Sequence, residues 1–89
     1  MKSVTTRPFR RRFRSLPPEI QRQARLAYSL FRDNPRHPGL RFKKVHPSQP
    51  IYSARISQDY RAVGVLKADE IIWFFIGSHS EYDTLLRSL

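Results

Sequence analysis

Tyr60-Arg61-Ala62-Val63-Gly64-Val65-Leu66, the turn Lys67-Ala68-Asp69-Glu70, and Ile71-Ile72-Trp73-Phe74-Phe75-Ile76-Gly77-Ser78-His79-Ser80-Glu81-Tyr82-Asp83 decide how this chain is read. Two apolar runs joined by a short polar turn predict two antiparallel strands. Ile71–Gly77 is apolar throughout, which predicts a central strand covered on both faces. Arg61 lies on the first of these strands, and His79 and Tyr82 follow the end of the second. An arginine can hold a phosphate with two parallel hydrogen bonds, and a histidine can move a proton near neutral pH.

Working outward, Ile51–Ser57 predicts another strand, with Tyr52, Ala54 and Ile56 on one face and Ile51, Ser53, Arg55 and Ser57 on the other. The turn Ser57-Gln58-Asp59 joins it to Tyr60–Leu66, so the last three strands form a meander. Arg41–His46 predicts the first strand of four. Toward the N-terminus, Ile20, Ala24, Ala27, Tyr28 and Phe31, widened by Leu30, form the apolar stripe of an amphipathic helix. Pro17-Pro18 opens that helix and Asn34-Pro35 ends it. Phe9, Phe13 and Leu16 recur at i, i+4, i+7 after the capping residue Thr6, which predicts a shorter helix before it. Residues 1–5 read as a short edge strand or loose chain, and Glu81–Leu89 as a short closing helix. The expected fold is α+β: a helical hairpin on a twisted four-stranded antiparallel sheet, all in one domain spanning 1–89.

Charge narrows the function. Of 17 Lys+Arg and 7 Asp+Glu, residues 1–61 carry 15 and 3, and residues 62–89 carry 2 and 4. A net +10 chain concentrated in this way suits a polyanionic partner such as RNA, DNA or the ribosome. There is no cysteine, which fits a reducing cytoplasm and excludes thiolate metal sites. The three histidines have no metal-ligand spacing, so neither metal nor cofactor is expected. No apolar run approaches the ~20 residues that span a membrane. The Arg-rich start loosely resembles an organelle transit peptide, but its aromatics are spaced like a packing helix face. A phosphate-binding glycine loop and a nucleophile elbow are missing as well.

The candidate site residues are therefore cations and proton carriers. Arg41, Lys43 and Lys44 lie on the first expected strand, Arg55 on the second and Arg61 on the third, with His79 and Tyr82 beyond the fourth. A purely structural reading would pair Arg61 with Asp59 or Glu81.

The segments LPPEIQRQARLAYSLFRDNPRHPGLRFKKVH, IYSARISQDYRAVGVL and IIWFFIGSHSEYDTLL together resemble the RelE/ParE superfamily of bacterial type II toxins. The Tyr-Arg pair on one strand, followed by an apolar strand ending in Gly-x-His, carries the likeness. The resemblance implies a cytoplasmic toxin neutralised by a cognate antitoxin. For RelE-like members it implies mRNA cleavage on the ribosome, without metal, by attack of the 2′-OH on the adjacent phosphate. It then makes Arg61, Arg55, His79 and Tyr82 catalytic, and Arg41, Lys43 and Lys44 RNA-binding. A position often basic in the family is Ser53 here. The alternative is a ParE-like toxin that inhibits DNA gyrase by protein–protein contact and does no chemistry.

Overall fold

An apolar strand needs cover on both faces, and the chain supplies helices on each side. The computed structural model describes residues 1–89. Its elements are β1 (Lys2–Thr5), α1 (Arg7–Arg14), α2 (Pro18–Asp33), a 3-10 turn (Pro38–Leu40), β2 (Lys43–Lys44), β3 (Ile51–Ser57), β4 (Tyr60–Lys67), β5 (Glu70–Ser78) and α3 (His79–Ser88). The five strands form one sheet in the order β1-β5-β4-β3-β2. No helix is long and apolar enough to cross a membrane.

The expected α+β arrangement is present, with three differences of detail. Residues 2–5 pair in parallel with Glu70–Trp73, so the sheet is mixed and five-stranded. Trp73 makes this pairing worthwhile: its indole N–H donates to Ser3 Oγ at 2.9 Å, which satisfies a polar group inside the core. β5 is thus an inner strand, and β4 is the middle one. The expected strand Arg41–His46 contracts to Lys43–Lys44. Arg41 adopts a left-handed φ of 46° in closing the 3-10 turn, and the His46 ring accepts the N–H groups of Ser48 and Gln49 to fold the next loop. Finally, α3 begins at His79 and not at Glu81. Ser78 and Glu81 form a capping box there, which satisfies two otherwise orphaned N–H groups.

The helices behave as their patterns require. Thr6 caps α1, accepting from the Phe9 N–H, and its own hydroxyl donates to Trp73 O at 2.9 Å. Phe9, Phe13 and Leu16 pack on the core. In α2, Ala24, Ala27 and Phe31 are the buried residues. Tyr28 and Leu30 stay 37% and 39% exposed, so the buried stripe of α2 is narrower than the apolar pattern alone suggests. Phe31 meets Trp73 and Phe42 edge-on at 5.3 and 5.0 Å, and Phe42 stacks on Tyr52. Aromatic contacts of this kind are worth about 0.5–1.5 kcal/mol each beyond area burial.

The opposite face of the sheet carries α3. Tyr82 packs there with Ile51, Val63 and Phe75, flanked by Leu85 and Leu86. β5 serves both faces by alternation, and a bulge changes the phase of that alternation part-way along. Val63 pairs with Phe75 but Gly64 pairs with Trp73, which leaves Phe74 as an extra residue. Ile71, Trp73 and Ile76 therefore face α1 and α2, while Phe74 and Phe75 face α3.

Gly64 sits opposite Trp73 at this irregularity. A Cβ on Gly64 would lie 3.0 Å from Ile71 Cγ1, Ile72 O and Trp73 Cε3. Two of these contacts are core side chains and one is backbone, so none yields easily. Gly64→Ala is expected to lose about 1–3 kcal/mol, the usual range for overpacking. A fall in the urea midpoint at unchanged m-value would show it.

Candidate functional site

Strand register assembles the site. β3 and β4 place Arg55 directly opposite Arg61, and β2 places Lys43 opposite Ser53. Since side chains alternate along a strand, Ser53 and Arg55 share one face. Arg41 enters from the 3-10 turn, and His79 and Tyr82 from the first turn of α3. Together these residues line a cavity of about 120 Å³. That volume is well below the ~300 Å³ at which sites begin to enclose whole ligands. It suits a phosphate-sized group, with the remainder of a larger molecule lying across the surface. Lys44 is the exception: it pairs with Tyr52, whose ring packs on the α2 side, and it does not line the cavity.

Arg61 is held in place by backbone. Its Nη1 donates to Ser57 O at 2.7 Å, Tyr60 O at 3.0 Å and Gln58 O at 3.2 Å. It pairs with neither Asp59 nor Glu81. The β3–β4 turn thus fixes one corner of the guanidinium and leaves the other nitrogens for a ligand. Arg41, Lys43, Arg55 and Arg61 face a cavity with no carboxylate in its lining. Like charges directly opposite on paired strands are destabilising, so Arg55 and Arg61 are not explained by fold stability.

His79 is oriented at two points. Its backbone N–H donates to Asp59 O at 2.7 Å, and its ring Nδ1 lies 3.1 Å from Asp83 Oδ2. An ionised carboxylate only accepts, so Nδ1 carries the proton and Nε2 of the neutral ring offers a lone pair. Tyr82 supports this ring edge-on at 5.8 Å between centroids. Tyr82 itself is only 8% exposed, so its ring is core and cannot stack on a base. Its hydroxyl reaches Ser53 Oγ at 3.4 Å on the cavity floor.

Three residues near the cavity carry signals that sequence reasoning passed over. Asp83 stands at i+4 from His79, the spacing that joins side chains along a helix. Ser53 was legible as the inward polar residue of β3. Arg12 belongs to an arginine run in which nothing singled it out. Its guanidinium lies 4.4 Å from the centre of the Phe75 ring and 3.6 Å from Glu81.

The family is decided by residues 18–84, which match the model of the ParE-like toxin domain. The chain belongs to that family. Solved structures share its fold at low sequence identity. The RelB–RelE antitoxin–toxin complex from Methanococcus jannaschii matches with TM-score 0.69 and 20% identity, covering 91% of this chain and 96% of that one. YafQ from E. coli strain BL21(DE3) gives 0.67 and 11%, covering 91% and 96%. The archaeal RelE–RelB complex from Pyrococcus horikoshii OT3 gives 0.67 and 17%, covering 88% and 93%. No curated protein sequence matches the chain.

In this ParE-like toxin domain the capping box also sets a pH dependence. The Ser78 N–H holds the Glu81 carboxyl below its ordinary value; burial is the next largest influence and opposes this, while the Ser78 hydroxyl and Arg12 reinforce it. A depressed carboxyl contributes stability that is complete above its unfolded value, about 4.3. That stability is lost as pH falls through the lower folded value. The Glu81 side chain is 54% exposed, so the contribution is modest. Glu81→Gln is expected to lower the urea midpoint at pH 7, and its difference from the parent is expected to shrink as pH falls through the depressed folded value.

Proposed function

We propose that this chain is the toxin of a toxin–antitoxin pair, and that its cavity is the active site of a metal-independent endoribonuclease acting on mRNA at the ribosome. The observation that carries this reading is a set of four cations around an oriented histidine, with no carboxylate in the lining to neutralise them. Such a site repels a divalent metal ion and attracts a phosphodiester. Arg61, anchored at Nη1, and Arg55 beside it hold the scissile phosphate and stabilise the added charge of the phosphorane. Arg41 and Lys43 position the RNA backbone. His79 Nε2 takes the proton of the 2′-OH as that oxygen attacks phosphorus. The bond to the 5′-oxygen breaks, and the imidazolium carries the proton this oxygen needs. The products are a 2′,3′-cyclic phosphate and a 5′-OH. Tyr82 and Asp83 act through His79 as positioning residues.

The antitoxin partner is supported by a second, larger cavity. About 530 Å³ lies between α1, α2 and the sheet, lined mainly by apolar side chains such as Phe9, Phe13, Tyr28 and Trp73, with Arg10 and Arg25 among the polar ones. A partner segment with an apolar stripe and acidic flanks would fill it and regain dispersion contacts that an empty space forfeits. The toxin would act in the cytoplasm, where mRNA is translated.

The match to a ParE-like model favours a second reading, inhibition of DNA gyrase by contact alone. Induction followed by mapping of mRNA 5′ ends on translating ribosomes separates the two. Cleavage within translated mRNA is expected, and DNA breaks with intact mRNA would favour gyrase. His79→Ala is expected to slow cleavage about 10²–10⁴-fold, the range for loss of a general acid–base. Arg61→Ala is expected to abolish toxicity while leaving the fold and antitoxin binding in place. Retained toxicity in both variants overturns the nuclease reading.

A further inference from the structure

A third cation joins the row begun by Arg55 and Arg61. Arg55 pairs with Arg61 across β3 and β4, and Arg61 with Gly77 across β4 and β5. The three positions sit on adjacent strands, about 5 Å apart. Gly77 has no side chain, and its space is filled from other elements. A Cβ there would stand 2.8 Å from Glu81 Oε1, 2.9 Å from Phe75 Cζ and 3.3 Å from Arg12 Nη1. α1 therefore delivers a guanidinium to the third place in the row. Its Cζ lies 4.4 Å from the centre of the Phe75 ring, its side chain remains 42% exposed, and it shares this place with the Glu81 carboxylate, 3.6 Å away and longer than a good charged hydrogen bond.

Further cations lie round the helix from Arg12, the nearest in sequence being Arg11, about 100° away. Arg7, Arg11 and Arg14 recur at i, i+4, i+7, so they share one face of α1, turned away from Phe9 and Phe13. All three are exposed and none is in an ion pair. α1 carries no acidic residue. Along a helix this spacing sets neighbouring Cβ atoms about 5–6 Å apart, a step similar to that across the strands.

We infer that α1 is a second nucleic-acid-binding element: a strand held at Arg55 and Arg61 continues over Arg12 onto the face formed by Arg7, Arg11 and Arg14. This extends the nucleic-acid reading of the cavity and rests on it for direction. A single-stranded polyanion fits better than an acidic protein, because this face offers repeated cations and no apolar anchor of the kind that dominates protein interfaces.

The test uses the full chain and a fluorescent 2′-O-methyl RNA of twelve nucleotides, which has no 2′-OH to attack. Anisotropy is measured against salt for the parent, for R12Q, for the quadruple variant R7Q/R11Q/R12Q/R14Q, for E81Q and for R61A. Single-strand contacts contribute about 0.7 each to the salt slope, so the quadruple variant is expected to lose about 3 from that slope. The parent is expected to bind twelve nucleotides more tightly than two, and the quadruple variant to lose most of that gain. E81Q keeps Arg12 and removes its acid, so RNA is expected to bind it as tightly as the parent or more so. An unchanged slope in the quadruple variant overturns the inference. So does E81Q weakening binding as R12Q does, since Arg12 would then act only by bracing α3. Release of a purified antitoxin by the quadruple variant, with RNA binding intact, would make the face a protein-docking surface instead. If R61A binds like the parent while the quadruple variant fails to bind, the cavity reading fails and the α1 surface stands.

Discussion

Phe74 has no partner on the neighbouring strand, and much of the molecule depends on that one extra residue. In a regular strand, Trp73 and Phe75 would face the same way. The bulge sends Trp73 under the helical hairpin and Phe75 under the last helix, and so decides which residues of this apolar strand enter each half of the core. It also fixes which positions of β5 stand beside Arg61. Gly77 falls on the α3 side, opposite Arg61, and its missing side chain leaves the floor open where Arg12 enters. Bulges re-aim side chains near functional sites, and here one connects core packing to the shape of the cationic surface.

The two faces of the sheet follow different rules. Under α1 and α2, aromatic rings interlock around Phe31 and Trp73, and polar groups there are satisfied at Ser3 and Thr6. Under α3, apolar packing stops at Tyr82 and Val63, and the next row holds Arg55 and Arg61 beside a cavity whose lining has no carboxylate. Ser53 marks the boundary: only 2% exposed, it accepts the Tyr82 hydroxyl on one side and borders the cavity on the other. Burial stabilises one half of this face while uncompensated charge works against the other. Such a conflict is expected where a ligand supplies the missing charge.

The parts legible in sequence were those with local periodicity. α2 declared itself through Ala24, Ala27 and Phe31, and the meander through its short polar turns. Arg55, Arg61 and His79 converge because strand pairing across tight turns is nearly forced. β1 was ambiguous because four residues carry little pattern, and its partner lies some seventy positions away, held by the Trp73–Ser3 hydrogen bond. The bulge was invisible because Ile71–Gly77 is apolar at every position, so alternation gives no phase. The start of α3 was written in Ser78 and Glu81, a capping box that reads equally well as a loop followed by acids. Arg12 was hidden among identical neighbours; only the gap at Gly77 distinguishes it.

α3 links folding to chemistry in one short segment. Tyr82, Leu85 and Leu86 dock it, while His79, held by Asp83 on the same ten residues, lines the cavity. Undocking would expose a small apolar cluster and carry His79 away from the cavity in a single step. On the proposed nuclease reading, the fraction of molecules ready to react is then the fraction in which this helix is seated, an equilibrium set by its apolar contacts together with the capping box and the backbone hydrogen bond from His79 to Asp59.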